Sequence, residues 1–276
     1  MISGRKNIMN HDTLIKEIEQ MAGQDVCLAF SGGVDSSVLL KLLCDASDRM
    51  EHGGRIYAVT FQTRLHPPAD VEIAGRVAEE TGAVHCILQV DESENEELLN
   101  NPVNRCYLCK KYLFSRLIAF GRDKGVSLFL DGTNADDLKV YRPGLQALKE
   151  LGIRSPLAEQ GVTKADVRQL AEQLGLSVAS RPSAPCLATR IPYGTRLDFD
   201  LFERIDQAET FLKELGYPVV RVRIHGEIAR LEVPADRLSD LAADSDLVVK
   251  KLKELGFPYI TMDLEGFRSG SMDINI

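Results

Sequence analysis

The chain has 276 residues, 44% apolar and 27% charged, enough to bury a full core and to build one large domain with a smaller companion. Its 33 Lys and Arg against 41 Asp and Glu leave a net charge of -8, which argues against sequence-independent binding to phosphate backbones while leaving room for a local basic patch. No apolar run is long enough to span a bilayer and no apolar leader opens the chain, so a soluble, cytoplasmic protein is expected, and its six cysteines read as thiols for packing, metal binding or catalysis rather than as a disulfide framework.

Leu14, Ile15, Ile18 and Met21 share one face of a predicted helix over 11–22, with Gly23 as its stop. Val26 to Phe30 reads as a buried strand, and Val38, Leu39, Leu40, Leu42 and Leu43 fit a helix beginning near Asp35. Strands over 56–61, 83–88 and 127–130 then alternate with helices over 69–81 and 109–124, and a helix over 163–175 follows. Buried strands alternating with helices indicate an α/β fold with a parallel sheet covered on both faces. Such sheets bind ligands at the carboxyl ends of their strands.

Arg181-Pro182-Ser183-Ala184-Pro185 breaks this pattern, placing a first domain over 1–188 and a smaller α+β domain over 189–276. Within the latter, a helix over 198–215 precedes strands at 219–224 and 228–233 that alternate at period two around His225-Gly226-Glu227, as a hairpin does. A helix over 243–255 and a strand over 259–263 complete it.

Between the first strand and its helix lies Ser31-Gly32-Gly33-Val34-Asp35-Ser36. Paired glycines let the backbone turn tightly and bring N–H groups against phosphate oxygens, and the helix adds its positive N-terminal end. Ser31, Ser36 and Ser37 add hydroxyl donors, while Asp35 either holds Mg2+ or orders the loop. The absence of Gly-Lys-Ser excludes a Walker loop. The alternative is an ordinary glycine turn, against which the strand-to-helix setting of the whole hexamer speaks. A second polar stretch, Asp131-Gly132-Thr133-Asn134-Ala135-Asp136-Asp137, follows the strand at 127–130; alone it reads as a loop. The hexamer resembles the N-type ATP pyrophosphatase family, whose members cleave ATP between the α and β phosphates, and the second stretch resembles that family's other nucleotide-facing loop. The resemblance implies ATP against Ser31, Gly32, Gly33, Asp35, Ser36, Gly132 and Thr133.

Cys27, Cys44 and Cys86 sit in apolar strands or a helix and read as core. Cys106 and Cys109, a C-x-x-C pair in Arg105-Cys106-Tyr107-Leu108-Cys109-Lys110-Lys111, and Cys186, in Pro185-Cys186-Leu187-Ala188-Thr189-Arg190, have polar or proline-bounded surroundings near predicted strand ends. Three such thiolates can ligate three irons of a 4Fe-4S cluster and leave the fourth iron open; a zinc site would want a fourth ligand, and the pair alone also reads as a redox couple. Arg221 and Arg223 alternate onto one face of their strand and, joined by Arg268, can clamp a phosphate or carboxylate; the alternative is a solvated face pairing with surface acids. His85 and His225 have no metal-like partners at suitable spacing.

Taken together, the hexamer at 31–36, Asp-Gly-Thr-Asn at 131–134, Tyr-Arg-Pro-Gly-Leu at 141–145, Cys-Leu-Ala-Thr-Arg-Ile-Pro-Tyr-Gly-Thr at 186–195, Val-Arg-Val-Arg-Ile-His at 220–225 and Gly-Phe-Arg-Ser-Gly at 266–270 resemble the LarE family over nearly the whole chain. The resemblance implies an AMP-forming sulfur transferase. Its substrate would be pyridinium-3,5-biscarboxylic acid mononucleotide, whose carboxylates become thiocarboxylates for the nickel-pincer nucleotide cofactor of lactate racemase and related enzymes. Some members surrender one cysteine in the region of Cys186, leaving dehydroalanine; others hold a 4Fe-4S cluster on three cysteines with an extra sulfide on the open iron. Cys106 and Cys109 fit the second type, so Cys106, Cys109 and Cys186 are expected as metal ligands and catalytic residues, with sulfide or another sulfur donor as partner.

The same resemblance assigns Arg221, Arg223 and Arg268 to the substrate phosphate, lets Arg190 assist, and implies a homo-oligomer. Ser271 departs from it where a basic residue is expected. Three rival readings remain. An iron-sulfur-dependent tRNA thiolase is opposed by the acidic balance and by the absence of a recognisable tRNA-binding appendage, so no nucleic-acid partner is expected. An ammonia-using amidotransferase-like ligase would leave the cysteines unexplained, and a non-catalytic adenine-nucleotide sensor would bind ATP without forming AMP.

Overall fold

A computed structural model describes residues 3–140, 142–182, 185–268 and 270–272, with side chains from residue 12 onward. Tyr141, Ser183, Ala184 and Ser269, which fall within the motifs and the boundary above, lie outside the described residues. In chain order the elements are α1 (Ser3–Ala22), β1 (Val26–Ala29), α2 (Val34–Asp48), β2 (Ile56–Gln62), α3 (Pro68–Thr81), β3 (Val84–Gln89), α4 (Glu96–Leu99), α5 (Arg105–Asp123) and β4 (Leu128–Leu130). These are followed by α6 (Gly144–Glu150), α7 (Pro156–Glu159), α8 (Lys164–Gln173), α9 (Phe199–Glu214), β5 (Arg221–His225), β6 (Ile228–Glu232), α10 (Leu238–Ala243), α11 (Ser245–Glu254) and β7 (Tyr259–Met262). Among the described residues, no helix is long and apolar enough to cross a membrane.

Two compact units result: Met1–Thr63, Pro68–Asp91 and Asn104–Ala184 form the first, and Arg64–Pro67, Glu92–Val103 and Pro185–Ile276 the second. The first is built on a parallel sheet of order β3-β2-β1-β4 with helices on its faces. The inner strands β1 and β2 read as continuous apolar runs because both their faces are covered, whereas the edge strand β3 is only partly buried, with Val84 and Ile87 exposed. Val26, Cys27 and Leu28 are fully buried, alternating between a core with Leu39, Leu40, Leu43 and Ala58 and a core with Val59, Leu117 and Phe129. Each such side chain contributes about 1.5–3 kcal/mol through burial.

The second unit carries a three-stranded sheet of order β5-β6-β7, with β5 and β6 antiparallel and β6 and β7 parallel. Gly226, at φ +62, supplies the left-handed residue that a two-residue hairpin needs. Val222, Ile224, Ala229 and Leu231 form the buried face of the sheet, joined in the core by Phe202, Ile205 and Leu212 of α9. The two early segments join this unit through backbone pairing: Leu187 N–H donates to the Leu65 carbonyl at 2.8 Å, and Leu197 N–H to that of Leu99 at 2.8 Å.

The structure differs from the sequence reading in three places. The helix expected from residue 109 begins at Arg105, because the Asn104 carbonyl already accepts Tyr107 and Leu108 N–H; Cys106 therefore lies on the helix with Cys109, not in the loop before it. The helix expected over 243–255 is found at Ser245–Glu254, but a further short helix, Leu238–Ala243, was not anticipated before it; the two meet at Asp244, whose carboxylate takes the Tyr217 hydroxyl at 2.6 Å. The short helices α4, α6 and α7 were not anticipated, since four to seven residues are too few to display a period.

Candidate functional site

After β1 the chain turns through Ser31, Gly32 and Gly33 into α2. Gly32 has φ +64, and a Cβ there would stand 2.8 Å from the Ala74 Cα on α3, so conformation and contact both require glycine. Gly33 is the N-cap of α2 and no side chain caps this helix, whereas α8 is closed by a Thr163–Asp166 capping box. The N–H groups opening α2 are thus left for an external acceptor, the arrangement that receives phosphate. Ser36 Oγ donates to the Gly33 carbonyl at 3.2 Å and lies 3.3 Å from Ser31 Oγ.

The loop after β4 backs onto this turn. Asp131 folds its own loop: Oδ2 accepts the Thr133 hydroxyl at 2.6 Å, and Oδ1 accepts Thr133 N–H at 3.2 Å and Ser155 Oγ at 2.5 Å. A Cβ on Gly132 would stand 2.8 Å from the Ser36 backbone nitrogen, so the two loops are in direct contact. Asn134 Nδ2 donates to Asp35 Oδ1 at 3.0 Å, and Lys164, the first residue of α8, pairs with Asp35 Oδ2. Asp35 therefore orders the two loops against each other. Both loops leave the carboxyl ends of β1 and β4, adjacent strands between which the chain reverses its direction of sheet growth, the place where open α/β sheets bind ligands.

Within the first unit the structure thus brings together Ser31, Gly32, Gly33, Asp35, Ser36, Gly132 and Thr133. Sequence reasoning missed Lys164 and Arg181, the latter donating from Nη1 to the Gly32 carbonyl at 2.9 Å. Neither stands near the hexamer in sequence, and the only available signal was a cation beside the helix cap at Thr163.

The cysteines divide by environment. Burial pushes the thiols of Cys27 and Cys44 up to about 12, as core residues, while Cys86 is half-buried and raised by the same cause. Cys106 is exposed and Cys109 half-buried, one turn apart at the start of α5 and on one helix face by their spacing. The helix turn is tied to the nucleotide loop through Lys110, whose ammonium lies 3.5 Å from Asp131 Oδ2. Cys186, half-buried, belongs to the second unit and precedes the 3-10 turn Leu187–Arg190. Among the described residues, no group of three His, Cys, Asp or Glu side chains stands at metal-holding spacing.

Arg190 shapes the Cys186 turn. Its Nη1 donates to the Pro185 carbonyl at 3.1 Å and to Thr189 Oγ1 at 2.8 Å, while Nε and Nη2 form a two-pronged bond to Glu209 at 2.8 and 2.9 Å. Burial pushes Glu209 upward, but the hydrogen bonds and charge of Arg190 overcome it and hold the carboxyl below its ordinary value.

Arg221 and Arg223 do share a sheet face, opposite Glu232 and Arg230 respectively, but that face is not solvated. Arg223 is 4% exposed and Glu232 0%. Arg223 Nε donates to Glu232 Oε2 at 3.1 Å and Nη1 to the Thr189 carbonyl at 2.7 Å, which joins the arginine face to the Cys186 turn. The other Glu232 oxygen accepts Arg230 Nη2 at 2.9 Å and Ser271 Oγ at 2.7 Å, giving the unexpected serine a structural role. Arg268 pairs with Asp263 at 3.2 Å and Glu265 at 2.5 Å, and the Arg221 guanidinium lies 5.3 Å over the Phe267 ring. Arg190, Arg221, Arg223, Arg230 and Arg268 stand among four carboxylates, Glu209, Glu232, Asp263 and Glu265, so this network holds one more guanidinium than carboxylate. Arg230, absent from the sequence reading, was hidden by alternation on the facing strand. His225 and His85 both have pKa values lowered by burial; His85 Nε2 lies 2.9 Å from the Thr60 hydroxyl, a structural pairing.

A glycine-rich turn into an uncapped helix at the switch point of a parallel sheet, closed by a second loop from the neighbouring strand, defines a PP-loop domain of the ATP pyrophosphatase type. Residues 16–181 match the family described as asparagine synthase. The chain is 38% identical over 261 residues to the pyridinium-3,5-bisthiocarboxylic acid mononucleotide synthase of Lactiplantibacillus plantarum, covering 95% of this chain and 92% of that protein. It is 37% identical over 266 residues to an uncharacterised protein of Synechocystis, covering 95% and 97%. A tRNA-specific 2-thiouridylase of Rickettsia bellii is 27% identical over 194 residues, 57% of this chain and 51% of that protein. The chain belongs to the LarE family of ATP-dependent sulfurtransferases.

Proposed function

We propose that this protein converts the carboxylates of pyridinium-3,5-biscarboxylic acid mononucleotide to thiocarboxylates, for the nickel-pincer nucleotide used by lactate racemase-type enzymes. The observation that carries this reading is the similarity to the Lactiplantibacillus plantarum synthase along 95% of the chain, which takes in the arginine face and the Cys186 turn as well as the phosphate loop. ATP binds with its phosphates against Ser31, Gly32, Gly33 and Ser36, Gly132 and Thr133 line the nucleotide, and Asp35, beside Lys164, would be the residue to hold a Mg2+ ion, whose charge would offset that of the phosphates. A substrate carboxylate oxygen attacks the α-phosphorus and pyrophosphate leaves, its charge met by the loop N–H groups and Lys164. Sulfide then adds to the acyl carbon and AMP departs; each carboxylate consumes one ATP and one sulfide with no change in oxidation state. Arg221, Arg223 and Arg268 hold the substrate phosphate, the bidentate geometry for which guanidinium is suited.

The 4Fe-4S reading draws on the C-x-x-C spacing of Cys106 and Cys109 and on the exposed or half-buried state of these two and of Cys186, a state that Cys86 shares within a strand; the three thiols do not stand at metal-holding spacing in this structure. Such a cluster, when bound, supplies an open iron that carries the extra sulfide. The chain's own part is to offer three thiolates, two of them one helical turn apart, and to keep the Cys186 turn fixed through Arg190. A homo-oligomer in the cytoplasm completes the reading.

The test is anaerobic purification with iron and sulfide analysis of wild type and Cys106→Ala, followed by assay of AMP and thiocarboxylate formation on the pyridinium mononucleotide. Near four irons and four sulfides per chain, lost in the variant together with turnover, is the expected result for such a cluster. An iron-free wild type that reacts once and leaves dehydroalanine at Cys186 would make Cys186 the sulfur source and refute the cluster. The tRNA thiolase alternative draws on the Rickettsia similarity, which spans 57% of the chain; salt-sensitive tRNA binding would favour it.

A further inference from the structure

Arg181 was visible in the sequence only as the first residue of a break between domains, yet its guanidinium reaches the phosphate loop. Nη1 donates to the Gly32 carbonyl at 2.9 Å and Nη2 to Asp70 Oδ1 at 2.5 Å, and the Arg181 and Asp70 side chains are each 19% exposed. The backbone that presents it is itself fastened: Arg168 of α8 donates to the Ala179 carbonyl at 2.8 Å and to the Arg181 carbonyl at 3.4 Å. Asp70 stands in the first turn of α3, the helix whose Ala74 packs against Gly32.

A trans peptide is planar, so its C=O and N–H point in opposite directions. Fastening the Gly32 carbonyl on Arg181 therefore turns the Gly33 N–H the other way, into the loop, where it donates to Ser31 Oγ at 3.3 Å. The residues on either side of this peptide are both glycine, at φ +64 and -80. Their own preferences place little resistance on rotation of the plane. Turned over, the peptide would offer a carbonyl oxygen to a phosphate in place of a donor.

We infer that Arg181 is a positioning residue of the nucleotide site: held by Asp70, it locks the Gly32–Gly33 peptide in the orientation that donates to the phosphates of ATP. This rests on the reading that the hexamer binds ATP phosphates. The experiment is Mg-ATP affinity by calorimetry for wild type, Arg181→Ala, Arg181→Lys and Asp70→Asn, with thermal melting of each. Arg181→Ala weakens ATP roughly ten- to hundredfold, the range of one charge-assisted hydrogen bond, with the loss falling on KM for ATP more than on kcat. Arg181→Lys, which keeps the charge but not the fork, recovers part of the affinity, and Asp70→Asn loses less than Arg181→Ala. A folded Arg181→Ala that binds ATP as wild type does would overturn the inference. If that variant does not fold, wild-type affinity in both Arg181→Lys and Asp70→Asn overturns it instead. No ATP binding by wild type would remove the nucleotide reading and this inference with it.

Discussion

Replacing Arg190 by methionine tests the buried ion pair behind the Cys186 turn. Arg190 and Glu209 have side chains only 4% and 3% exposed, and Glu209 would keep a single backbone donor, Val222 N–H at 3.0 Å, after losing two hydrogen bonds from the guanidinium. Removing one member of such a pair costs about 3–5 kcal/mol, because the other stays buried and charged. With roughly 2–4 °C of Tm per kcal/mol, a fall on the order of 10 °C is expected at pH 7. The pH dependence supplies the sign. In the wild type Glu209 is held below its ordinary value, so its contribution is complete above the unfolded carboxylate value of about 4.3 and is lost as pH falls through the depressed folded value. In Arg190→Met burial dominates and raises the carboxyl, so acid relieves the strain and the gap between the two proteins narrows as pH drops from 7 toward 4. Chemical denaturation across that range measures the gap, and peptide mapping after alkylation reports whether Cys186 is labelled faster once the Pro185 carbonyl and Thr189 hydroxyl lose their donor. A gap under about 1 kcal/mol, the worth of an exposed pair, or one that does not change with pH, would refute the reasoning.

Gly132→Ala places a methyl 2.8 Å from the Ser36 nitrogen, so ATP binding should weaken while the fold loses about 1–3 kcal/mol; calorimetry with ATP and urea unfolding check the two effects. Ser271→Ala leaves Glu232 Oε1, fully buried, with Arg230 as its one donor among the described residues, and should destabilise by about 1–3 kcal/mol in the same unfolding assay. Alkylation of cluster-free protein at pH 8 should label exposed Cys106 and spare Cys27 and Cys44, whose thiols stand near 12; labelling of either before unfolding would show the core to be open. Asp35→Asn should keep the Asn134 contact but lose the Lys164 ion pair, and a drop in ATP-dependent AMP formation without a large loss of Tm is expected if Asp35 acts on the nucleotide.

The sequence by itself determined the parallel α/β framework, the phosphate loop and the hairpin, because each rests on local information: runs of buried residues set the strands, two glycines permit one turn, and alternation at period two places Arg221 and Arg223 on one face. It also set Cys106, Cys109 and Cys186 apart from Cys27, Cys44 and Cys86 by the polarity of their neighbours, although Cys86 is half-buried rather than buried. Only the tertiary structure decided what those residues touch. Lys164 meets Asp35 and Arg181 meets Gly32 across separations of 129 and 149 residues, and no periodicity encodes a contact made by folding a helix end back onto a loop. The arginine face likewise depends on strand register, which sets Arg223 beside Arg230, and on Glu209 and Glu232, whose burial turns ordinary acidic residues of a helix and a strand into the counter-charges of a buried network. Charge pairs in water leave little trace in sequence because they contribute little there; buried, the same pairs fix the geometry of the site.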